Sequence, residues 1–294
     1  MGTAGIGYPS SHHLIYHMPD LQDQQYLASE QYKDSSHLNA RIQLHQRFST
    51  NPYGWFKWVF DQFTLPPEAK ILEIGCGAGS LWTDNRFRLP PSWSITLSDF
   101  SPGMAREAKR NIGLSKSKFA YVVCNGMAVP YPEGTFDAII ANHVLYHIPD
   151  RQKALGEIHR TLKPCGRFFA TTIGANHLLE LAQIMEGFTP TKGMYYSSAL
   201  NPNGFTLENG TEQLTLWFNQ IEIHHYPDSL NVIEAQPLVA YIQSMIPKTD
   251  LQLDDNAVAG LKALIQRLID QSGSIHIQKS SGMFICVKGS QADD

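Results

Sequence analysis

The chain has 294 residues, 43% of them hydrophobic, which is enough for a sizeable buried core in one or two units. Its 23 lysines and arginines nearly balance its 27 aspartates and glutamates, so the net charge of −4 argues against a nucleic-acid-binding surface. No apolar run approaches the about 20 residues of a membrane span, and the N-terminal segment lacks the pattern of a secretory signal. We therefore expect a cytoplasmic protein without a membrane or nucleic-acid partner, and its oligomeric state stays open.

The first 62 residues predict a helical cap. Residues 1–20 carry no regular pattern, whereas residues 24–62 place apolar and aromatic side chains at helical spacing. We expect two or three helices there, before the sheet begins. Residues 63–294 are then expected to form an α/β unit.

From Lys70 onward, short apolar segments alternate with helical ones, which is typical of parallel strands joined by right-handed crossovers. Helices are predicted to begin near Ser101, with Pro102 in the first turn, and to run from about Asp150 to Leu162, ended by Pro164 and Gly166. The predicted strands are Ile71–Ile74, Ser94–Leu97, Phe119–Val123, Phe136–Ala141, Arg167–Thr172, Gln220–His225 and Gly282–Val287.

Two later stretches break this rhythm. Residues 174–215 are rich in Leu, Met, Tyr and Asn and are inserted before the sixth strand, so they are a candidate lid over the substrate. Residues 230–245 are predicted as a strand or a helix and residues 254–271 as a helix; with the last strand they would complete the sheet.

Three glycines at alternate positions follow the first predicted strand, at Gly75, Gly77 and Gly79. Glycine permits positive φ and lets a ligand approach main-chain N–H groups, and the following helix N-terminus favours a carboxylate or phosphate. An ordinary tight turn needs only one glycine. Three glycines beside the acid Glu73 therefore favour a ligand-binding loop.

Asp99 follows the second predicted strand, twenty residues beyond Gly79. An acid at this place can accept both hydroxyls of a ribose, and it can equally cap the helix that begins near Ser101. A dinucleotide loop needs G-x-G-x-x-G, but Ser80 stands where its last glycine would be. The spacing favours S-adenosylmethionine over NAD.

With these motifs the chain resembles the class I S-adenosylmethionine-dependent methyltransferases, of the small-molecule, type 11-like branch. The likeness covers about residues 68–172, in the segments ILEIGCGAG, ITLSDFSPGM, VCNGMAVPYPEGTFDAIIANHVLYHIPD and EIHRTLKPCGRFFAT. It implies a Rossmann-like sheet of seven mostly parallel strands with helices on both faces. It also implies methyl transfer to a nitrogen, oxygen or carbon of a neutral, partly apolar small molecule, such as a natural-product intermediate.

The resemblance also implies which residues bind the cofactor. The glycine loop would face its methionine and ribose, Asp99 the ribose hydroxyls, Phe100 the adenine, and Arg41 the methionine carboxylate. The family commonly has Asp after the third strand, where this chain has Asn125. The cofactor-binding residues implied are Arg41, Glu73, Gly75, Cys76, Gly77, Gly79, Asp99, Phe100, Asn125, Gly126, Met127 and Asn142.

The catalytic candidates are His143, His147 and Tyr26. A sulfonium methyl is already activated, so a base helps only when the nucleophile carries a proton. The adjacent His224 and His225 would point to opposite faces of a strand, and no metal site is expected. Two alternatives stay open: a cofactor-binding or regulatory protein that transfers no methyl group, and an NAD-dependent oxidoreductase, against which the glycine spacing argues.

Overall fold

The central sheet has seven strands and reverses its order beside the first of them. A computed structural model describes residues 36–113, 118–192, 194, 204–246 and 252–290. The sheet order is β3-β2-β1-β4-β5-β9-β6, and β9 is antiparallel to both of its neighbours. The seven-stranded, mostly parallel sheet is therefore confirmed. The strands are β1 Lys70–Ile74, β2 Ser94–Asp99, β3 Phe119–Val123, β4 Phe136–Asn142, β5 Leu162–Ile173, β6 Gln220–Tyr226, β7 Ser229–Val232, β8 Ile275–Gln278 and β9 Ser281–Val287.

Helices cover both faces of this sheet, because its central strands are apolar on both sides. In β1, Leu72 and Ile74 belong to one buried cluster, whereas Ile71 belongs to the cluster on the other face. Alternate residues of a strand point to opposite faces, so a continuous apolar run needs two packed layers. The helices are α1 Ser36–Phe48, α2 Trp55–Asp61, α3 Ser80–Asp84, α4 Pro102–Ile112, α5 Arg151–Thr161, α6 Leu179–Gly187, α7 Gly210–Leu214, α8 Ala235–Met245 and α9 Asp255–Ser272.

Two helix boundaries test the capping predictions. The Ser101 hydroxyl accepts a hydrogen bond from the Met104 main-chain N–H at 3.3 Å, so its predicted role as the N-cap of α4 is confirmed. The predicted bounds of α5 are confirmed, since Asp150 is its N-cap and Leu162 its C-cap, but the helix ends before Pro164 and Gly166. Leu162 also begins β5 and pairs with Phe136 on β4, so the chain passes directly from helix to strand.

A separate apolar cluster forms a cap unit, assembled from three stretches of the chain. It contains α1, α6, α8 and α9, together with the two-stranded sheet of β7 and β8. Much of it comes from residues 227–280, between β6 and β9, which the sequence patterns assigned to the main sheet. Amphipathic segments carry the same pattern whichever core they face, so the pattern could not assign them to this cap.

A buried ion pair holds the cap against the edge of the sheet. Lys279, just before β9, bonds to Asp228 between β6 and β7, and both side chains are nearly inaccessible to solvent. Asp228 Oδ1 also accepts hydrogen bonds from Ser49 Oγ at 2.7 Å and from the main-chain N–H of Asn51 at 3.1 Å and of Ser229 at 2.8 Å. One carboxylate thus joins the α1–α2 loop to the β6–β7 turn.

Within the described residues, no helix has both the length and the apolar character needed to cross a membrane.

Gly282→Ala should destabilise the fold, because Gly282 is paired on both sides, with His225 of β6 and Thr172 of β5. An added Cβ would lie 2.6 Å from the His224 carbonyl oxygen and 3.0 Å from Leu207 Cδ2. We expect a loss of about 1–3 kcal/mol in the free energy of unfolding, measured by urea titration. The matched control is Gly187→Ala at the end of α6, where an added Cβ meets no atom within 4 Å. Equal midpoints and slopes for the two variants would contradict this account of the sheet.

Candidate active site

The candidate site lies at the carboxyl ends of β1, β2 and β4. The order of the sheet reverses between β1 and β4, and ligands of open α/β sheets bind at such a reversal. The glycine loop joins β1 to α3 there. Its glycines all have positive φ, +70° at Gly75, +53° at Gly77 and +78° at Gly79. The backbone conformation expected of the loop is therefore present.

The three glycines serve different purposes. An added Cβ at Gly75 would lie 2.6 Å from Val144 Cγ2, and one at Gly79 would lie 3.1 Å from Ile112 Cδ1. At Gly77 it would meet no atom within 4 Å. Gly75 and Gly79 thus allow close packing against neighbouring segments, whereas Gly77 borders open space at the tip of the loop.

Asp99 is fixed at this tip by main-chain donors. Its Oδ2 accepts a hydrogen bond from Gly77 N–H at 2.9 Å, and its Oδ1 accepts one from Ser101 N–H at 2.8 Å. Burial raises the pKa of the carboxyl, and the hydrogen bonds from Ser101 and Gly77 oppose that rise. Each carboxylate oxygen has a second lone pair, so Asp99 supports the helix start and can still accept ligand hydroxyls.

Glu73 lies beneath the loop and is only 2% exposed. Its Oε2 accepts a hydrogen bond from Trp82 Nε1 at 2.5 Å. Burial raises its pKa to about 8; the Trp82 hydrogen bond opposes this rise, and the charge of Asp99 adds to it. Glu73 is therefore mostly protonated at neutral pH, and a nearby cation would favour its ionised form.

The residues expected around the adenine follow β2 and β3. Phe100 is 41% exposed, which leaves its ring accessible to a ligand. Asn125 Oδ1 accepts a hydrogen bond from Met127 N–H at 3.0 Å, and an added Cβ at Gly126 would lie 3.2 Å from Ile74 Cγ2. Cys76 is buried within the loop, where burial raises the pKa of its thiol.

At the reacting end, a hydrogen-bonded relay holds a strained backbone. His143 has φ +54°, which is uncommon for a residue other than glycine. Its main-chain N–H donates to Thr171 Oγ1 at 2.9 Å, and that hydroxyl donates to Asn142 Oδ1 at 2.6 Å. Backbone strain of this kind costs about 1–3 kcal/mol and clusters at functional sites. Asn142 is thus the last residue of β4 and His143 follows it directly, and both are bonded to Thr171 Oγ1 on β5.

The His143 ring packs against aromatic rings from α2 and from the turn after β4. It lies 5.0 Å from the Trp55 ring, measured between centroids, and 6.3 Å from the Tyr146 ring. Burial lowers its pKa to about 4, and the nearby Lys279 and His147 lower it further. His147 stands in a turn of 3₁₀ helix, with its ring 4.6 Å from that of Tyr146.

The sequence analysis did not predict that His45, His177 and Lys279 lie near His143. Burial lowers the pKa of His177 to about 3, with His143 and Lys279 contributing. The pKa of His45 is also well below its usual range, because of burial and then the charges of Lys279, His177 and His143. These side chains come from α1, the β5–α6 loop and the β8–β9 turn. No spacing in the sequence could have shown that they meet.

Other predicted residues lie elsewhere. Arg41 donates from Nε to Ser244 Oγ at 3.3 Å and from Nη2 to the Ser244 carbonyl oxygen at 3.0 Å, so its guanidinium joins two cap helices. Tyr26 lies outside the described residues. His224 Nδ1 is 2.7 Å from Gln62 Oε1. In the part of the chain that the structure describes, no three His, Cys, Asp or Glu side chains are grouped so as to hold a metal ion.

Comparison with known proteins identifies the central domain. Residues 72–170 match the family model described as Methyltransferase domain. The ubiquinone/menaquinone biosynthesis C-methyltransferase UbiE of Pasteurella multocida is 28% identical over 180 residues, which are 60% of this chain and 64% of that protein. The chain thus spans less than two thirds of the length of this curated relative.

Solved structures agree on the fold. Phosphoethanolamine N-methyltransferase 2 of Haemonchus contortus has a TM-score of 0.56 and 20% identity, covering 93% of this chain and 61% of that one. The [4+2]-cyclase SpnF has a TM-score of 0.55 and 20% identity, covering 92% of this chain and 98% of that one. The predicted resemblance to the class I S-adenosylmethionine-dependent methyltransferases is confirmed. The chain has their fold, and its central residues match the model of a methyltransferase domain.

The imidazoles of His143 and His177 should stay neutral well below neutral pH. Because burial holds their pKa values at about 4 and about 3, their ring signals should not shift between pH 7.5 and pH 5.5. Two-dimensional NMR of protein labelled in histidine would follow them, with His143→Gln and His177→Gln variants to assign the signals. A His143 titration midpoint near the ordinary value of about 6.5 would contradict the buried setting.

Proposed function

We propose that this chain is an S-adenosylmethionine-dependent methyltransferase acting on a nitrogen, oxygen or carbon of a neutral, partly apolar small molecule. The main support is the hydrogen bond between the Gly77 main-chain N–H and the Asp99 carboxylate at the order reversal of the sheet. It places a carboxylate with spare lone pairs beside an open glycine backbone. The cytoplasmic location stays a prediction.

The residues at the glycine loop fit this cofactor. When bound, S-adenosylmethionine supplies a methyl group already activated on a sulfonium centre. Asp99 would accept hydrogen bonds from the ribose hydroxyls, and the exposed Phe100 ring would lie against the adenine. Glu73 would ionise more readily beside a positive charge, because an opposite charge lowers the pKa of a carboxyl. Asn125 can offer the adenine only an uncharged partner.

At the reacting end, the chain has to align the acceptor and exclude water. The Thr171 relay fixes the backbone of Asn142 and His143, and Trp55 covers the His143 ring. With a pKa of about 4, His143 is a weak base at neutral pH. We therefore expect the His143 side chain to orient the nucleophile of the acceptor by a hydrogen bond. It would remove the proton of the nucleophile only where that group is already acidic.

Aromatic side chains beneath the cap support a partly apolar acceptor. The Trp55 ring lies 5.0 Å from that of His143 and 5.2 Å from that of Tyr226, measured between centroids. The relatives differ in the atom they methylate, since one is named a C-methyltransferase and another an N-methyltransferase.

One neighbour supports the alternative without methyl transfer, because SpnF is named a cyclase. Single-turnover assays with labelled cofactor distinguish the two, since a protein that only binds would release no S-adenosylhomocysteine.

Asp99→Ala should weaken cofactor binding without unfolding the protein. Removing a charged hydrogen-bond acceptor should cost about 1.5–3 kcal/mol, or about 10- to 150-fold in Kd for S-adenosylmethionine by calorimetry. Asp255→Ala, at an exposed position in the first turn of α9, is the matched control. Circular dichroism checks that both variants are folded. An unchanged Kd for folded Asp99→Ala would remove this residue from the site.

His143→Ala should slow turnover and leave the Kd of the cofactor unchanged. Misplacing the nucleophile should lower the rate about 100-fold, read as formation of S-adenosylhomocysteine with a library of acceptors. The control is His225→Ala, an exposed position on β6. If His143→Ala turned over at the wild-type rate, its ring would have a structural role only.

A further inference from the structure

Two polar atoms at the junction of cap and sheet are buried without a hydrogen-bond partner. They are Trp55 Nε1 and His45 Nδ1, and the only other such side-chain atom among the described residues is the hydroxyl oxygen of Tyr121, on β3. A buried donor or acceptor left unpaired is costly, and most such atoms in folded proteins do have a partner. An unpaired atom in a native structure is therefore a candidate contact for a ligand.

Both residues border the candidate reacting end. The Trp55 ring lies 5.0 Å from the His143 ring and packs edge-on against Tyr226 at 5.2 Å. The His45 ring packs edge-on against Tyr241 at 5.9 Å, and His45 is close enough to His143 for charge on one to affect the other. One unpaired atom thus belongs to α2, whose Trp55 ring contacts the His143 ring, and the other to the cap helix α1.

The charges at this junction disfavour a cation. The ammonium of Lys279 lies 5.7 Å from the centroid of the Tyr226 ring, and its positive charge acts on His45, His143 and His177 alike. The partner carboxylate, Asp228, already accepts hydrogen bonds from Ser49, Asn51, Ser229 and Lys279. A protonated amine would meet the positive charge of Lys279, whose partner Asp228 already accepts hydrogen bonds from four groups.

Resting on the proposed function, we propose that Trp55 Nε1 and His45 Nδ1 form an oxygen-binding subsite that selects methyl acceptors carrying a hydroxyl or carbonyl group. The indole N–H can only donate, so its partner must be an acceptor atom. A hydroxyl or carbonyl oxygen can accept from Trp55 Nε1. At His45 Nδ1, a hydroxyl can donate when the nitrogen is unprotonated, and either oxygen can accept when it carries the proton.

The ligand can reach these atoms by rotation of side chains. Trp55 is the first residue of the seven-residue helix α2, and it follows Gly54, which has φ +88° and no atom within 4 Å of an added Cβ. Both Trp55 and His45 are partly exposed as whole residues. Rotamer changes of this kind are common when ligands and partners bind.

The test measures binding of small probes to the full chain. Three bicyclic probes differ in their polar group: 2-naphthol has a hydroxyl, 1-tetralone a carbonyl, and 2-naphthylmethylamine an ammonium at neutral pH. Equilibrium binding by saturation-transfer NMR gives a Kd for each with wild type, Trp55→Phe, His45→Phe and the control Trp58→Phe. Trp58→Phe makes the same ring change in a neighbouring residue but keeps the unpaired Trp55 N–H.

We expect at least one oxygen probe to bind wild type more tightly than the amine does. Trp55→Phe and His45→Phe should each weaken that probe about three- to tenfold, and Trp58→Phe less than twofold, as the loss of one hydrogen bond predicts. The proposal is overturned if neither oxygen probe binds, if the amine binds as well as they do, or if Trp58→Phe weakens binding as much as Trp55→Phe does. Calorimetry with S-adenosylmethionine is run separately, so a failure of the proposed function shows there and not in the probe series.

Discussion

The hydrogen bond from the Gly77 main-chain N–H to the Asp99 carboxylate joins the ends of two neighbouring strands, and the candidate site is arranged around it. β1 and β2 are parallel and in register, with Ile74 opposite Ser98, so their carboxyl ends lie at the same level. Because the order of the sheet reverses beside β1, this edge stays accessible to a ligand. The positive φ of Gly77 directs its N–H toward Asp99, and the open space around it leaves the loop backbone accessible.

Burial controls the charge of the crevice, and its two ends differ. At the glycine loop, Asp99 and the buried Glu73 provide acidic groups, and the raised pKa of about 8 for Glu73 makes its charge responsive to a nearby cation. Beneath the cap, the imidazoles stay neutral because burial and the charge of Lys279 lower their pKa values. This separation suits a cationic methyl donor at one end and an acceptor without positive charge at the other.

The position of the cap depends on contacts between the turns beside β6 and β9. Its helices come from stretches far apart in the chain, and the buried pair of Asp228 and Lys279 joins the turns by which the chain leaves β6 and enters β9. A buried ion pair is not a strong source of stability, but losing one partner leaves an uncompensated charge, which makes the pairing specific. The α1–α2 loop, bonded to Asp228, thus connects the cap helix that carries His45 to the helix whose Trp55 contacts His143.

The sequence by itself determined the alternating strands and helices of residues 70–173, the N-cap at Ser101, the glycine loop and the position of Asp99. These features depend on local rules, because strand burial, helix capping and backbone freedom each act over a few residues. Short segments of the sequence therefore suffice to predict them. Only the tertiary structure decided that Glu73 lies under the loop against Trp82, and that residues 227–280 contribute to the cap instead of the main sheet. It also decided that the imidazoles of His45 and His177, more than a hundred residues apart, both lie near Lys279. Burial and long-range proximity set their pKa values, and the local spacing of residues determines neither.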